Sequence, residues 1–175
     1  MQTSELAEFI ARSRRLLVLT GAGCSTESGI ADYRDAHGGW KRPPPVSFQA
    51  FMGSAAVRQR YWARSLIGWQ HFRRARPNPA HAALAKLEQR QGLELLLTQN
   101  VDGLHQAAGS RQVIDLHGRL DQVRCMECDA VLAREQVQEE LLRRNPRWRD
   151  LQGRPAPDGD AELEGLPFAE FAVPT

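Results

Sequence analysis

LLVLTGAGCSTESGIADYR, residues Leu16 to Arg34, is the segment that most strongly indicates an architecture for this chain. Its first part, Leu16–Thr20, is aliphatic up to a final threonine, and so short an apolar run that ends at a glycine predicts a buried β-strand. The next part, Gly21–Thr26, contains only small residues, so its backbone can approach a ligand closely and present N–H groups to it. Such a turn suits a phosphate group, although by its sequence alone it is equally an ordinary tight turn.

Two later segments repeat this arrangement of an aliphatic strand followed by polar residues. Leu93–Thr98 is the second aliphatic run, and Gln99–His105, QNVDGLH, follows it directly. The third run, Val113–Leu116, is followed at once by His117 and Gly118. Ligands of open parallel sheets bind outside the carboxyl ends of the strands, so we expect these polar residues to form one site. The sequence therefore predicts an α/β fold with a Rossmann-like parallel sheet.

Apolar residues at helical spacing predict helices around this sheet. The first helix begins at Thr3 or Ser4 and is expected to bury Leu6, Phe9 and Ile10 in the core. Further helices are predicted in residues 46–76, where aromatic side chains share one face, in residues 80–90 and in residues 134–144. Residues 35–45, DAHGGWKRPPP, are rich in glycine and proline and predict a mobile loop.

The composition excludes several classes of protein. Of the 175 residues, 42% are hydrophobic and 25% are charged, and no apolar run reaches the roughly 18 residues that a membrane span requires. The first residues carry acids and an amphipathic pattern, so no secretory signal is predicted and we expect a cytoplasmic protein. A net charge of +2 with scattered arginines does not indicate a nucleic-acid surface. Neither nucleic acid nor a membrane is therefore expected as a partner.

The cysteines indicate metal or redox chemistry. Their number is three, which is odd, and Cys125 and Cys128 form a CxxC pair, so a disulfide framework is not expected. A thioredoxin-like redox pair would require a βαβ unit around Cys125, which the sequence does not predict. Metal binding is the favoured use of this pair.

The glycine-rich turn differs from the two common phosphate-binding motifs. Gly21–Gly23 begins like the dinucleotide fingerprint, but Thr26 occupies the position of its third glycine. Lys41 and Arg42 stand where that fingerprint has its acidic residue, and no lysine follows the glycines as in a P-loop. The sequence thus predicts neither an ordinary Rossmann dehydrogenase nor a P-loop nucleotidase. Arg34, at the end of the segment, can pair with a phosphate.

The polar residues after the second and third strands are candidates for binding and catalysis. Gln99, Asn100 and Asp102 combine amides with a carboxylate and suit a ribose or a carboxamide, although they are also common turn residues. His105 would then simply open a helix. His117 is the best acid–base candidate because an imidazole exchanges a proton near neutral pH, but a single histidine is often structural.

Four motifs in this order resemble the sirtuins, which are NAD-dependent protein lysine deacylases. They are GAGCSTESGIADYR at Gly21–Arg34, TQNVDGLH at Thr98–His105, LHG at Leu116–Gly118 and the CxxC at Cys125–Cys128. YWARSLIGW at Tyr61–Trp69, with the PNPAH that follows, resembles the mitochondrial lipoamidase and ADP-ribosyltransferase branch and its bacterial relatives. The resemblance implies a bacterial enzyme that converts NAD and acyl-lysine to nicotinamide, O-acyl-ADP-ribose and lysine.

The resemblance also implies roles for individual residues. In the family's mechanism the acyl oxygen attacks the ribose as nicotinamide leaves, and a histidine, here His117, deprotonates a ribose hydroxyl that attacks the resulting imidate. Asn100 is the second implied catalytic residue. The implied NAD-binding residues are Gly21, Ala22, Gly23, Ser25, Ile30, Asp32, Tyr33, Arg34, Gln99, Asn100, Asp102 and His117. Among them Ala22, Gly23 and Arg34 would line the pyrophosphate. Gln99, Asn100 and Asp102 would hold the nicotinamide ribose and, with Ile30, the carboxamide. The segment after Arg34, residues 35–45, would order over the cofactor and exclude water.

Tyr61 and Arg64 resemble the Tyr-x-x-Arg pair with which desuccinylase-type sirtuins receive acidic acyl groups. The spacing to the following Pro-Asn differs here. Because an arginine fork suits a carboxylate, this pair favours longer or acidic acyl groups over plain acetyl.

The chain departs from the family in its zinc ligands. Sirtuins hold a structural zinc with four cysteines, whereas only Cys125 and Cys128 are present here, and Thr175 stands where the second CxxC would be expected to begin. We therefore expect a truncated form, with an incomplete sheet and half of a zinc-ribbon-type lobe. The expected organisation is an NAD-binding core at residues 1–35 and 77–120, a cofactor loop and helical small lobe at 36–76, and half of a zinc module at 121–175.

This departure leaves alternatives to the deacylase. An exposed sheet edge could associate with another chain, and the chain could be a catalytically inert NAD-binding or interaction module. A protein ADP-ribosyltransferase is the other alternative.

Overall fold

The structure is a computed structural model that describes residues 3–33, 37, 39, 41, 45–90, 92–156, 158–163 and 165–174. The α-helices are α1 (Thr3–Arg12), α2 (Phe48–Gly53), α3 (Ala55–Phe72), α4 (Pro79–Gln89), α5 (Leu104–Ala107) and α6 (Arg134–Arg144). The strands are β1 (Leu17–Thr20), β2 (Leu95–Thr98), β3 (Val113–Asp115), β4 (Gln122–Arg124), β5 (Val131–Ala133), β6 (Arg154–Pro155) and β7 (Ala161–Glu162). By their contacts the residues divide into a first unit, Met1–Gly29 with Arg76–Arg119, and a second unit, Ile30–Ala75 with Leu120–Thr175.

A three-stranded parallel sheet in the order β1-β2-β3 forms the centre of the first unit. The register pairs Thr20 with Thr98, and Thr98 with Asp115, so the three strands end at the same level. The predicted α/β fold with a parallel sheet is confirmed. The predicted strands are also present, each shorter than expected by one or two residues.

One face of this sheet is packed and the other is open among the described residues. Leu16, Leu93 and Leu96 are buried, and side chains of α1, β1, β3 and α4 pack against them. Leu17 and Leu19 are 55% and 56% exposed, so the expectation that β1 is a fully buried strand is wrong. Their side chains alternate with the packed ones along the strand and point to the other face.

Helix α1 also differs from its prediction. Ile10 packs against the sheet, but Leu6 is 42% exposed and Phe9 58% exposed, so neither belongs to the core. Helical spacing identified the apolar stripe correctly, but among the described residues only one of these three side chains reaches the core. No helix in the described ranges is long and apolar enough to cross a membrane.

The second unit is built around α3. Ser54 begins this helix by accepting a hydrogen bond from the backbone N–H of Val57, and the helix runs for 18 residues. Ala63, Leu66 and Ile67 pack against α6 and the chain that follows it, in a core completed by Val137, Leu141, Trp148, Ala161 and Phe171. The predicted bounds of α6 match those observed. Two antiparallel pairs, β4 with β5 and β6 with β7, flank this core.

Candidate functional site

Polar groups converge where β1 and β2 end. The hydroxyl of Thr20 donates to Oγ1 of Thr98 at 2.9 Å, and the backbone N–H of Gln99 donates to the carbonyl of Thr20 at 3.0 Å. The N–H of Leu116 donates to the carbonyl of Thr98 at 2.9 Å, which continues the same row of contacts past β3. The segments that follow the three strands therefore lie side by side, as the sequence predicted.

The small-residue segment after β1 forms a 3-10 helix, Ala22–Ser28, where the sequence predicted a tight turn or a phosphate-binding turn. It follows an extended Gly21, has no side-chain cap at its beginning, and ends at Gly29, whose φ of 84° is a left-handed conformation that glycine adopts easily. A Cβ atom built on Gly21 or Gly23 would meet nothing within 4 Å. The backbone of this turn is thus open to a ligand.

Ser25, Asn100 and Asp102 form a hydrogen-bonded group, called here the polar cluster. Ser25 is buried, with 1% of its surface exposed. Its Oγ donates to Oδ2 of Asp102 at 2.6 Å and accepts from Nδ2 of Asn100 at 3.0 Å. Oδ1 of Asp102 accepts from the backbone N–H of Leu104, the first residue of α5, at 2.9 Å. Both carboxylate oxygens are engaged, so the cluster is held in one arrangement before any ligand binds.

Gln99 and His117 are exposed at the same edge of the sheet. Gln99 follows β2 directly, and His117 lies in the turn that follows β3. Gly118 continues that turn with a φ of 77°. An imidazole in such a position is accessible to a substrate and to solvent.

Ile30, Asp32 and Tyr33 belong to the second unit. Ile30 is buried, and Oδ1 of Asp32 accepts from Nζ of Lys41 at 2.5 Å, a contact that lowers the pKa of the carboxyl group. Burial raises the pKa of the Tyr33 phenol. Arg34 lies outside the described residues, as does most of the predicted cofactor loop.

Tyr61 and Arg64 lie three residues apart on α3 and therefore share a face of the helix. Nε of Arg64 donates to the carbonyl of Ala161 at 3.0 Å and lies 3.7 Å from Oδ2 of Asp160. Burial raises the pKa of Tyr61 to about 12 and that of Asp160 to about 8. The sequence did not indicate Asp160, because nearly a hundred residues separate it from Arg64.

Cys125 and Cys128 lie in the loop between β4 and β5. The backbone N–H of Cys125 donates to the carbonyl of Ala130 at 2.8 Å, and that of Asp129 donates to the carbonyl of Cys125 at 3.1 Å. Hydrogen bonds from the backbone of Cys128 and Glu127 lower the pKa of the Cys125 thiol. A loop that stabilises a thiolate fits two corners of a tetrahedral zinc site.

The arrangement of strands, glycine turn and polar cluster can be compared with known proteins. The family model described as the Sir2 family matches residues 21–153. The chain belongs to the Sir2 family. Among solved structures, this Sir2 chain is similar to a Sir2 protein with a p53 peptide and NAD+, at 35% identity and a TM-score of 0.71. The alignment covers 81% of this chain and 56% of that one.

Curated relatives give the same family. An NAD-dependent protein deacetylase of Xanthomonas campestris pv. campestris (strain B100) is 66% identical over 97% of this chain and 58% of its own length. A human protein named NAD-dependent protein lipoamidase sirtuin-4, mitochondrial, is 46% identical over 99% of this chain and 56% of its own length. The predicted sirtuin resemblance, including its branch, is confirmed, and the chain spans a little over half the length of these relatives.

Proposed function

We propose that this Sir2 chain carries the NAD-binding and catalytic residues of an NAD-dependent protein lysine deacylase. The polar cluster is the observation that carries the proposal, because it presents a buried serine, an amide and a carboxylate beside an open glycine turn. Relatives named NAD-dependent protein deacetylase, at 66% and 62% identity, support the activity. The p53 peptide held by the similar Sir2 protein supports a protein substrate.

The polar groups at the ends of β1, β2 and β3 suit the chemistry of NAD. When bound, NAD would supply the ribose carbon that the acyl oxygen of the substrate attacks, with nicotinamide as the leaving group. The uncapped N–H groups at Ala22 and Gly23 would hold the pyrophosphate, with Arg34 proposed from its sequence alone. Gln99, Asn100 and Asp102 would together hold the ribose, with Asn100 and Asp102 already fixed through Ser25.

His117 is proposed as the general base. Its ring lies in an exposed turn, so a ring nitrogen can accept a proton from a ribose hydroxyl and release it to solvent. Asn100 is proposed to act with it by orienting the sugar. Ile30, Asp32 and Tyr33 remain proposed NAD-binding residues on the strength of the sequence motif.

The organisation predicted from the sequence is retained as part of the proposal. Residues 1–35 and 77–120 form the proposed NAD-binding core, 36–76 the cofactor loop and helical part of the small lobe, and 121–175 the zinc-binding part. Cys125 and Cys128 would supply two of the four ligands of a structural zinc. The cytoplasmic location expected from the sequence is kept as part of the proposal and agrees with the bacterial source of the similar deacetylases.

Nicotinamide release tests the proposed activity. Full chain, NAD and an acyl-lysine peptide are incubated together, and nicotinamide and O-acyl-ADP-ribose are measured. We expect both products from the wild-type chain and neither from His117→Ala. NAD binding without release would instead support the inert module, and transfer of ADP-ribose to protein would support the transferase.

The acyl preference has its own test. We propose that Arg64 receives the carboxylate of an acidic acyl group, in exchange for its present contact with Asp160. Arg64→Ala should then lower removal of glutaryl groups more than removal of acetyl groups. Arg60→Ala, on the same helix, is the matched control and should change neither rate. An equal loss of both activities in Arg64→Ala would show that the arginine has only a structural role.

A further inference from the structure

A second cluster of chemically active side chains lies in the first unit. Cys24, His81 and His105 each offer one metal-ligating atom, and these atoms all lie within 4.8 Å of one another. Both histidines are buried, at 0% and 1% exposure, and their ring centroids are 4.7 Å apart. None of these residues belongs to the polar cluster or to the CxxC loop.

Three different elements hold this cluster in place. Cys24 lies in the 3-10 helix after β1, and its carbonyl accepts from Nδ2 of Asn78 at 2.8 Å. Asn78 in turn caps α4, where it accepts from the backbone N–H of His81 at 3.3 Å. His105 lies on α5, and its Nε2 is 2.9 Å from the hydroxyl of Thr20. The backbones of Cys24 and His81 and the ring of His105 are thus held by contacts with residues outside the cluster.

Each histidine ring has one nitrogen engaged in a hydrogen bond: Nε2 of His105 with Thr20, and Nδ1 of His81 with the N–H of Asn78. The other nitrogen of each ring has no hydrogen-bond partner among the described residues. These nitrogens are Nε2 of His81 and Nδ1 of His105, and both are buried. Buried polar atoms are normally satisfied, so two such atoms beside one thiol require an explanation.

We propose that Cys24, His81 and His105 form a binding site for a divalent zinc ion, separate from the CxxC loop. One thiolate and two imidazoles are a ligand set that zinc prefers. Zinc bond lengths place neighbouring ligands of a tetrahedral site roughly 3.4–3.8 Å apart, so a closure of about 1 Å brings the three atoms into position. The fourth position is left to water.

Zinc binding redistributes protons at the three ligands. The thiol of Cys24 loses its proton to solvent as the sulfur binds zinc. His105 binds through Nδ1 and keeps its Nε2 proton, which it donates to Thr20, the kind of outer contact that orients a metal-bound histidine. His81 binds through Nε2, so its proton moves to Nδ1. The weak bond that Nδ1 now accepts from the N–H of Asn78, at 3.2 Å, is lost.

Zinc at this site would join the 3-10 helix, α4 and α5. These elements are far apart along the chain, so a bound ion would stabilise the first unit against unfolding. We therefore expect zinc to raise the melting temperature of the chain even when the CxxC loop cannot bind it.

Cobalt is the probe, because a cobalt–thiolate bond absorbs in the near ultraviolet. The full chain with Cys125→Ser and Cys128→Ser is titrated with Co²⁺, which isolates the proposed site. We expect one equivalent to bind with a thiolate band, and zinc to displace it. Adding Cys24→Ser should abolish the band and weaken binding at least roughly a hundredfold, whereas adding His71→Ala, a histidine outside the cluster, should change neither.

Two results would overturn the site. The first is the absence of a thiolate band in the protein that lacks Cys125 and Cys128, and the second is a band that persists after Cys24→Ser. Cadmium-113 NMR of the variant with Cys125→Ser and Cys128→Ser is an independent test that needs no further substitution. The cadmium chemical shift distinguishes a site of one sulfur and two nitrogens from a site of oxygen ligands alone.

Discussion

Oγ of Ser25 lies 2.6 Å from Oδ2 of Asp102, and this hydrogen bond joins the 3-10 helix after β1 to the segment after β2. The two residues are far apart in sequence. The Ser25 hydroxyl also accepts a hydrogen bond from Nδ2 of Asn100, so the serine links Asn100 to Asp102. A ligand that enters the open glycine turn therefore meets a carboxylate whose position is already fixed.

Asp102→Asn tests the role of this carboxylate in NAD binding. The amide preserves the shape of the side chain and can still accept from the N–H of Leu104, but it loses the charge and one of the two acceptor oxygens. Hydrogen bonds to charged groups contribute about 1.5–3 kcal/mol. We expect the Kd for NAD to rise roughly 10- to 100-fold, measured by calorimetry. Asp150→Asn, at an exposed position, is the control. An unchanged Kd in Asp102→Asn would remove Asp102 from the proposed site.

Asp160 predicts a pH dependence of stability. Burial and the neighbouring Asp158 raise its pKa to about 8, against the opposing effect of Arg64 and Arg134. Between about pH 4 and pH 8 the native state holds a proton that the unfolded chain has lost, so stability falls as pH rises, by at most about 1.4 kcal/mol per pH unit. Urea unfolding at pH 5 to 8 should show a flatter profile for Asp160→Asn than for wild type. Parallel profiles would contradict the buried, protonated carboxyl group.

Gly68 lies so close to the backbone of Asp160 that any side chain at this position should disturb the packing. A Cβ atom at this position would lie 2.1 Å from the carbonyl carbon of Asp160, which is backbone and cannot move aside. Gly68→Ala should lower the free energy of unfolding by at least about 2 kcal/mol. Gly53→Ala, at the last residue of α2, is the matched control, because a Cβ there meets nothing within 4 Å, and alanine should change the free energy of unfolding by less than about 0.5 kcal/mol. Similar effects of the two substitutions in urea unfolding would contradict the close approach.

Replacing the buried guanidinium of Arg134 by the ammonium group of lysine should destabilise the protein. The group lies 5.6 Å and 4.8 Å from the ring centroids of Trp62 and Trp69, and it donates to Gln138 at 2.8 Å. An ammonium lacks the planar fork for these contacts, so Arg134→Lys should cost about 1.5–3 kcal/mol. Arg147→Lys, at an exposed position, should cost less than about 0.5 kcal/mol. Chemical denaturation of the two variants compares them, and equal stabilities would refute the prediction.

Errors in the sequence prediction share a cause. Apolar periodicity predicted α1 but assigned Leu6 and Phe9 to a core that they do not reach. The small residues after β1 predicted a turn with an accessible backbone, which is present, but not that the chain forms a 3-10 helix there. In each case the local pattern was correct, and the surroundings that cover or shape the segment were not encoded nearby.

The sequence by itself determined the parallel strands, the glycine turn, the bounds of α6 and the residues that carry the family's motifs. These features depend on neighbouring residues, through hydrophobic spacing, helix caps and the conformational freedom of glycine. The tertiary structure decided that Ser25 meets Asp102, that Asp160 meets Arg64, and that Cys24, His81 and His105 meet one another. Such meetings depend on strand register and on which helix faces pack together, and these are set by contacts between residues far apart in the chain.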